Sequence, residues 1–405
     1  MSRACVITGI GCLGSFGLGR SELAAALARG EPVVSEVERS SAHDSESARL
    51  AHTIRVGLEP WADPRTTRRL SPASRYAVAA ARMALDDAGL EQLEGAEGLA
   101  SVHIATALGP ASATETLLSQ IFCEDPESAS PLHFMESVAN APAAQVAIAL
   151  GAHGPNSSVT QREAGGLLAV HDGVQDVLRG RVSRAIAGSV DELTSLNHAI
   201  FDRLHALARP TGSRAEMARP FDRDRDGFVM SEGATIWLLE EEDAARARGA
   251  TILGHVIATV RANDPTATSV GWGTGAARLA SRLSQELERQ GIDRSRIDRW
   301  VSGASGSRAG DALEARVIRE FFLDEPLPSI ITPKAYIGEY GGGFLAGAAL
   351  AIQGAPFAST PGFEHRDPEL DVTPHDGRRL PRARRVILSS LAAGGAAVWL
   401  VVDPA

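Results

Sequence analysis

Along this chain the spacing of apolar positions switches between the period of a strand and that of a helix, the alternation of an α/β protein. Cys5 to Thr8 reads as a short apolar strand ending on Gly9, Gly11 and Gly14, and Ser21 to Arg29 has helical period with a serine cap. Residues 30 to 68 are polar and read as loops. Ser71 to Ala88 is an amphipathic helix capped by Ser71 and stopped near Gly89. A strand follows at Leu99 to Thr106, helices at Ala113 to Phe122 and Ala144 to Leu150, a β-branched strand at Ser158 to Thr160 that runs into another helix, and a buried strand at Arg184 to Gly188. Beyond a charged helix at Glu241 to Arg248, fit to serve as a hinge, the pattern starts again. Strands are predicted at Thr251 to Val260, Arg299 to Ser302, Ser329 to Thr332, Val386 to Ser390 and Ala397 to Val402. Helices are predicted at Thr274 to Arg289, Gly310 to Phe322 and Gly342 to Gln353. The alternation argues for a mostly parallel sheet in each of two halves, residues 1–245 and 246–405. No sequence repeat proves a duplication.

With 405 residues, 44% of them apolar and 22% charged, the chain can bury a large core. The net charge of −10 argues against nucleic acid or an anionic membrane as partner, and an acidic partner would need a local basic patch. Cys5, Cys12 and Cys123 have neither metal-ligand spacing nor an even count for a disulfide framework, which fits a reducing cytoplasm. No run reaches the roughly 18 apolar residues of a membrane-spanning helix, and a soluble, cytosolic protein is expected.

Candidate chemistry centres on Gly154 to Val170, GPNSSVTQREAGGLLAV, where Glu163 sits at a strand-to-helix turn. The unpaired amides and dipole of a helix start favour a thiolate, carboxylate or oxyanion there, although an acidic first-turn residue is also ordinary helix chemistry. The glycines after the first strand do not keep the GxGxxG spacing of a dinucleotide site. Asp222, Asp224 and Asp226 suggest a calcium loop, but its twelfth position is Gly233 where a glutamate is wanted, so no metal is expected.

Followed to the C-terminus, the Gly154 to Val170 stretch resembles the nucleophile elbow of the β-ketoacyl synthases, the condensing enzymes of the thiolase superfamily. The opening VITGIG, the tract RPFDRDRDGFVMSEGATIWLLE from Arg219 to Glu240, and FMESVANA from Phe134 to Ala141 resemble the same family in the same order. The run Ala164-Gly165-Gly166-Leu167 is similar to that of chain-length-factor subunits, the cysteine-less partners in type II polyketide synthases. The resemblance implies a thiolase-like α/β fold, two similar halves packed as α/β/α/β/α layers. It also implies a Cys-His-His site, which here is replaced throughout. Glu163 stands for the cysteine, Gly303 for the first histidine and Glu339, beside Lys334, for the second. No histidine lies between His255 and His365. In the gating loop SSLAAGGAA, Ala393 takes the place of a phenylalanine ahead of Gly394 and Gly395.

No catalytic residue is therefore expected. The implied role is to pair with a cysteine-containing ketosynthase and shape its acyl tunnel. Thr114, Thr116, Leu117 and Phe122 would line the far end of that tunnel from one helix face. The chain would need no cofactor of its own, the acyl group arriving on the phosphopantetheine of an acyl carrier protein. Two alternatives stay open: an enzyme using Glu163 and Glu339 as a carboxylate pair near Lys334, and a carrier-protein binding module. Two acids in one apolar site need a cation, and Lys334 is expected to bridge toward one of them.

Overall fold

The computed structural model describes residues 3–38, 47–93, 99–323, 325–341 and 343–405. Ten strands form its main sheet. The first five are β1 (Cys5–Gly14), β2 (Ala100–Ala105), β3 (Asn156–Val159), β4 (Arg184–Asp191) and β5 (Gly233–Glu241). The second five are β6 (Gly254–Asn263), β7 (Arg299–Ser302), β8 (Ser329–Ile331), β9 (Val386–Leu391) and β10 (Ala396–Pro404). Their spatial order is β8-β7-β9-β10-β6-β1-β5-β4-β2-β3, with the Gly17–Leu18 ribbon folded back on the end of β1.

Each half repeats one arrangement: third strand, second, fourth, fifth, first. The pairs β2–β3, β2–β4, β7–β8 and β7–β9 are parallel. The pairs β4–β5, β5–β1, β9–β10 and β10–β6 are antiparallel. The sheets are thus mixed and not mostly parallel, because the last strand of each half returns beside its predecessor without a crossover helix. The duplication that no sequence repeat reveals is plain in this topology. The halves meet through a short antiparallel contact, Cys5 to Ile7 against Gly254 to Val256.

The helices that matter here are α1 (Pro72–Asp87), α2 (Ala111–Ser119), α3 (Ala141–Leu150), α4 (Gly165–Leu178), α5 (Ala276–Arg289), α6 (Arg308–Phe322) and α7 (Gly343–Gln353). Helix α4 touches β2, β4 and β5 of one half and β6 and β10 of the other, and α7 likewise meets strands of both. These two form the middle layer. Helices α1 and α3 cover the outer face of the first half and α5 and α6 that of the second, which gives five layers; one apolar cluster lies under each outer pair of helices and a third fills both spaces around the middle helices.

Several local expectations change. Gly9, Gly11 and Gly14 continue β1 instead of ending it. A Cβ on Gly9 would lie 2.1 Å from the Ala84 carbonyl oxygen, and one on Gly11 would lie 1.8 Å from that of Ala80, so these glycines let α1 sit directly on the strand. Ser71 does cap α1, accepting from the Ser74 amide at 3.2 Å. Ser21 caps nothing: its helix starts at Gly19, with Leu18 in the cap position and no side-chain bond. The polar stretch 30–68 holds short strands at Ser35–Glu36 and Leu50–His52 and a helix at Pro64–Thr67 capped by Asp63. The helix Ser195–Arg203 was not expected. Gly342, the expected start of α7, lies outside the described residues.

Candidate functional site

Strand β3 runs into a single 3-10 turn, Arg162–Ala164, that opens directly into α4. Arg162 is held at φ 44°, a left-handed conformation that costs a non-glycine residue roughly 1 kcal/mol or more. The strained turn brings Glu163 to the head of α4 and against the end of β9, where Ser390 Oγ donates to the Glu163 carbonyl oxygen at 2.7 Å. Gly166 admits no side chain, since a Cβ there would fall 2.4 Å from the Gly341 oxygen. Burial raises the Glu163 pKa above the ordinary carboxylate range. Hydrogen bonds from its own amide and from Ala393, with the charges of Lys334 and Arg162, act the other way. Its Oε2 is buried and has no hydrogen-bond partner among the described residues. The gate-loop position Ala393 is therefore in touch with the elbow, ahead of a tight turn formed by Gly394 and Gly395 at φ 92° and 94°.

Lys334 opens the short helix Lys334–Ile337 just after β8. It is the single lysine of the chain, every other residue in the Lys+Arg total of 40 being arginine. Its Nζ lies 2.5 Å from Glu339 Oε2, with side-chain exposures of 1% and 10%. The contact is charge to charge, because neither atom has an aligned hydrogen-bond partner among the described residues. Glu339 is pinned by its backbone, its amide donating to Val229 O and its oxygen accepting from Ser231 N. Burial pushes its pKa up to about 7. Lys334 pulls it down, and the charges of Glu163 and Asp191 push it up further. Asp191 completes the cluster from the end of β4, accepting from Thr106 Oγ1 at 2.7 Å and from the amides of Ala107, Leu108 and Gly341. Glu163 and Glu339 thus share one ammonium, while Asp191 is held by hydrogen-bond donors and adds its charge beside Glu339.

Gly303 follows β7, and a Cβ there would meet the Ser389 oxygen at 3.0 Å. With Glu163, Trp272, Asp311, Glu314 and Leu391 it lines a residual cavity of about 10 Å³, close to the smallest space that holds one water. Asp311 accepts the amides of Phe221 and Ser305, and burial raises its pKa to about 6. Glu314 accepts from Trp300 Nε1 at 3.1 Å, and burial raises its pKa to about 7.

The structure brings Glu163, Ala393, Lys334, Glu339 and Gly303 into one buried region. The roles of Asp191 and Trp272 were not foreseen: Asp191 marked only the end of a strand, and Trp272 carried no signal. Thr114, Thr116, Leu117 and Phe122 lie elsewhere and do not share one helix face. Thr114 and Leu117 are half-buried, whereas Thr116, about 200° around the helix from Thr114, is exposed. Helix α2 also ends at Ser119 and widens into a π turn, which leaves Phe122 79% exposed.

Of the three acids weighed as a calcium loop, Asp222 and Asp224 stay together, a carboxylate oxygen of each and a ring nitrogen of His365 lying within 4.8 Å of one another, and only Asp226 leaves. Asp222 clamps two loops by accepting the amides of Asp224, Glu364 and His365 at 2.7, 2.7 and 2.6 Å. Asp224 faces Arg214, Arg223 and His365, and Asp226 turns to the Arg209 amide. Among the described residues no helix is long and apolar enough to cross a membrane.

Residues 2–245 match the family model "Beta-ketoacyl synthase, N-terminal domain". The 3-oxoacyl-[acyl-carrier-protein] synthase 2 of Rhizobium meliloti is 30% identical over 424 residues, covering 99% of this chain and 98% of that protein. Among solved structures, the ishigamide ketosynthase/chain length factor superposes with a TM-score of 0.89 at 26% identity, covering all of both chains. A type II polyketide synthase acyl carrier protein in complex with its ketosynthase, AntDE:AntF, gives a TM-score of 0.88 at 21% identity, again over all of both chains, and bears on the fold alone. The chain belongs to the β-ketoacyl synthase family, within the thiolase superfamily.

Proposed function

We propose that this chain is a non-catalytic, chain-length-factor-like subunit that pairs with a cysteine-containing ketosynthase and shapes its acyl tunnel. The observation that carries the reading is the carboxylate of Glu163 at the elbow, beside a buried lysine that is already paired with Glu339. Acyl transfer from a thioester needs a thiolate at that point, and decarboxylative condensation needs donors aimed at an enolate oxygen. Gly303 has nothing to donate. Glu339 and Glu163 would repel the developing negative charge, and the cavity between Glu163 and Gly303, about 10 Å³, is too small for a malonyl group. In this reading the carrier protein delivers its phosphopantetheine-bound chain to the partner's cysteine. Incubation with acyl and malonyl carrier protein should leave the intact mass of the isolated chain unchanged and release no carbon dioxide, and turnover should appear only when the ketosynthase is added. An adduct on any residue of the elbow would overturn it.

One observation favours a second reading. Glu339 titrates at about 7 beside a second acid, the setting of an acid and base pair. An enzyme of that kind would act on malonyl carrier protein without a partner, so the same experiment separates the two.

The surface supports a partner in the first half. Among the described residues strand β3 is paired on one side only, and an open strand edge is a template for another chain. Leu118, Phe122, Leu132, Phe134 and Met135 expose an apolar face on α2, the π turn that follows it and the helix Pro131–Glu136, with α2 and that helix packed together. If α2 borders the partner's tunnel, Leu117→Ala lengthens the product and Thr116→Trp shortens it. Mass spectra of the products from assembled complexes check this, and an unchanged distribution in both would leave α2 as plain interface.

A further inference from the structure

The seam between the two half-sheets leaves a groove that the family's chemistry does not use. Strand β6 pairs with β1 only from Gly254 to Val256, after which it runs past the start of β1. From Ala258 to Asn263 it is bonded to β10 alone, so its other edge has no strand partner among the described residues. Residues Val256 to Val260 form the floor of an open cavity of about 730 Å³ between the C-terminal halves of α4 and α5. Five such residues in extended form span about 17 Å.

The rim is basic in a chain whose net charge is −10. Arg3, Arg179, Arg261, Arg282 and Arg289 line it. Arg282 and Arg289 share the one carboxylate of Glu286, at 2.8 and 2.7 Å, and Arg261 reaches Asp172 at 3.5 Å. Five guanidinium groups are set against two carboxylates. On the α4 wall His171 keeps its Nδ1 buried without a hydrogen-bond partner. Burial and the nearby Arg261 and Arg179 lower its pKa to about 4, which registers the positive field of the groove.

We infer that this groove binds an acidic, extended peptide segment of a partner protein, added as a strand to the free edge of β6 with its carboxylates reaching the arginine rim. The open backbone edge supplies regularly spaced donors and acceptors, and arginine forks suit carboxylates. Alternate side chains of an added strand point to opposite faces. One set would meet Arg179 and Arg261 on the α4 side, and the other Arg282 and Arg289 on the α5 side. The groove lies at the far end of α4 from Glu163, about 20 Å away along the helix, so binding there is independent of what the elbow does.

Fluorescence anisotropy of a fluorescein-labelled Glu-Glu-Val-Val-Glu-Glu peptide, which carries carboxylates on both faces of a strand, tests this on the full chain. Saturable binding is expected, weakening as salt rises, at least tenfold weaker for the Arg179→Glu/Arg261→Glu variant, and absent for the matching Lys-Val peptide. Both arginines are exposed, and a thermal melt verifies that the variant is folded; Arg282→Ser/Arg289→Ser serves as a second test from the other wall. Two further peptides carry N-methyl groups on one or the other alternate set of amides. In strand addition one of them loses at least tenfold and the other binds like the parent. Equal binding of both methylated peptides, or no saturable binding, would overturn the inference. So would pyrophosphate binding as tightly as the peptide with the same dependence on the arginines, since the groove would then be a small-anion site.

Discussion

Lys334→Met should lower folding stability by about 3 to 5 kcal/mol at pH 8, because it removes one partner of a buried ion pair and leaves the other without a countercharge. Lys334 is 1% exposed and its ammonium answers both Glu339 and Glu163. The loss should shrink as the pH falls below the Glu339 value of about 7, since a protonated Glu339 no longer needs the cation. Lys334→Met/Glu339→Gln should recover most of it at pH 8. Glu163→Gln should be mild by contrast, because glutamine fits the same turn and removes a repulsion. Urea unfolding of the parent and these three variants at pH 8 and pH 5.5 measures all of this. A Lys334→Met variant as stable as the parent at pH 8 would mean that the cluster is not held by charge. If Glu163→Gln kept its stability and abolished turnover in the reconstituted complex, the glutamate would be catalytic and the proposed function wrong.

The second large effect is an acid-shifted stability optimum. Folding raises the pKa of Glu339 and Glu314 to about 7 and of Asp311 to about 6, in each case chiefly through burial. A carboxyl raised in this way holds its proton more tightly in the native chain. Its contribution is complete below the unfolded value and is lost as pH rises through the native one. The window runs from the ordinary carboxyl range near 4 to about 7. Stability should therefore increase from pH 8 to pH 5.5, by roughly 5 kcal/mol across the three groups. It should fall again at lower pH, where acids held below their usual range, such as Glu240 between Arg184 and Arg248, take up protons. Denaturant midpoints across this range provide the check, and Glu339→Gln should flatten the slope near pH 7. A profile that rises steadily toward pH 8 would show that these acids are charged in the fold.

What could be read in the sequence was local. The strand Arg299–Ser302 and the Ser71 cap depend on side chains within a few residues of one another, and both fall where expected. The elbow was legible for the same reason, since a β-branched strand, a polar turn and a glycine-rich helix lie side by side. Gly9 and Gly11 were misread because their cause is a helix some 70 residues further on, and a glycine required by close approach looks the same as one required by a turn. The antiparallel half of each sheet was hidden because burial on both faces gives β5 and β10 the same apolar runs as parallel strands. Within the site, the identities of Glu163, Gly303 and Glu339 could be read, but not their surroundings. Trp272 and Asp191 enter it from segments distant in the chain, and no spacing rule connects them to it.

That the chain holds one lysine, and holds it out of reach, changes what amine chemistry means for this molecule. Apart from the α-amino group, the folded surface offers no primary amine to an acylating reagent, a crosslinker or a modifying enzyme. Any slow incorporation of such a label at Lys334 counts openings of the buried layer one molecule at a time. The same reagent leaves the arginine surface untouched, so the label on the free chain reports on Lys334 and the α-amino group alone.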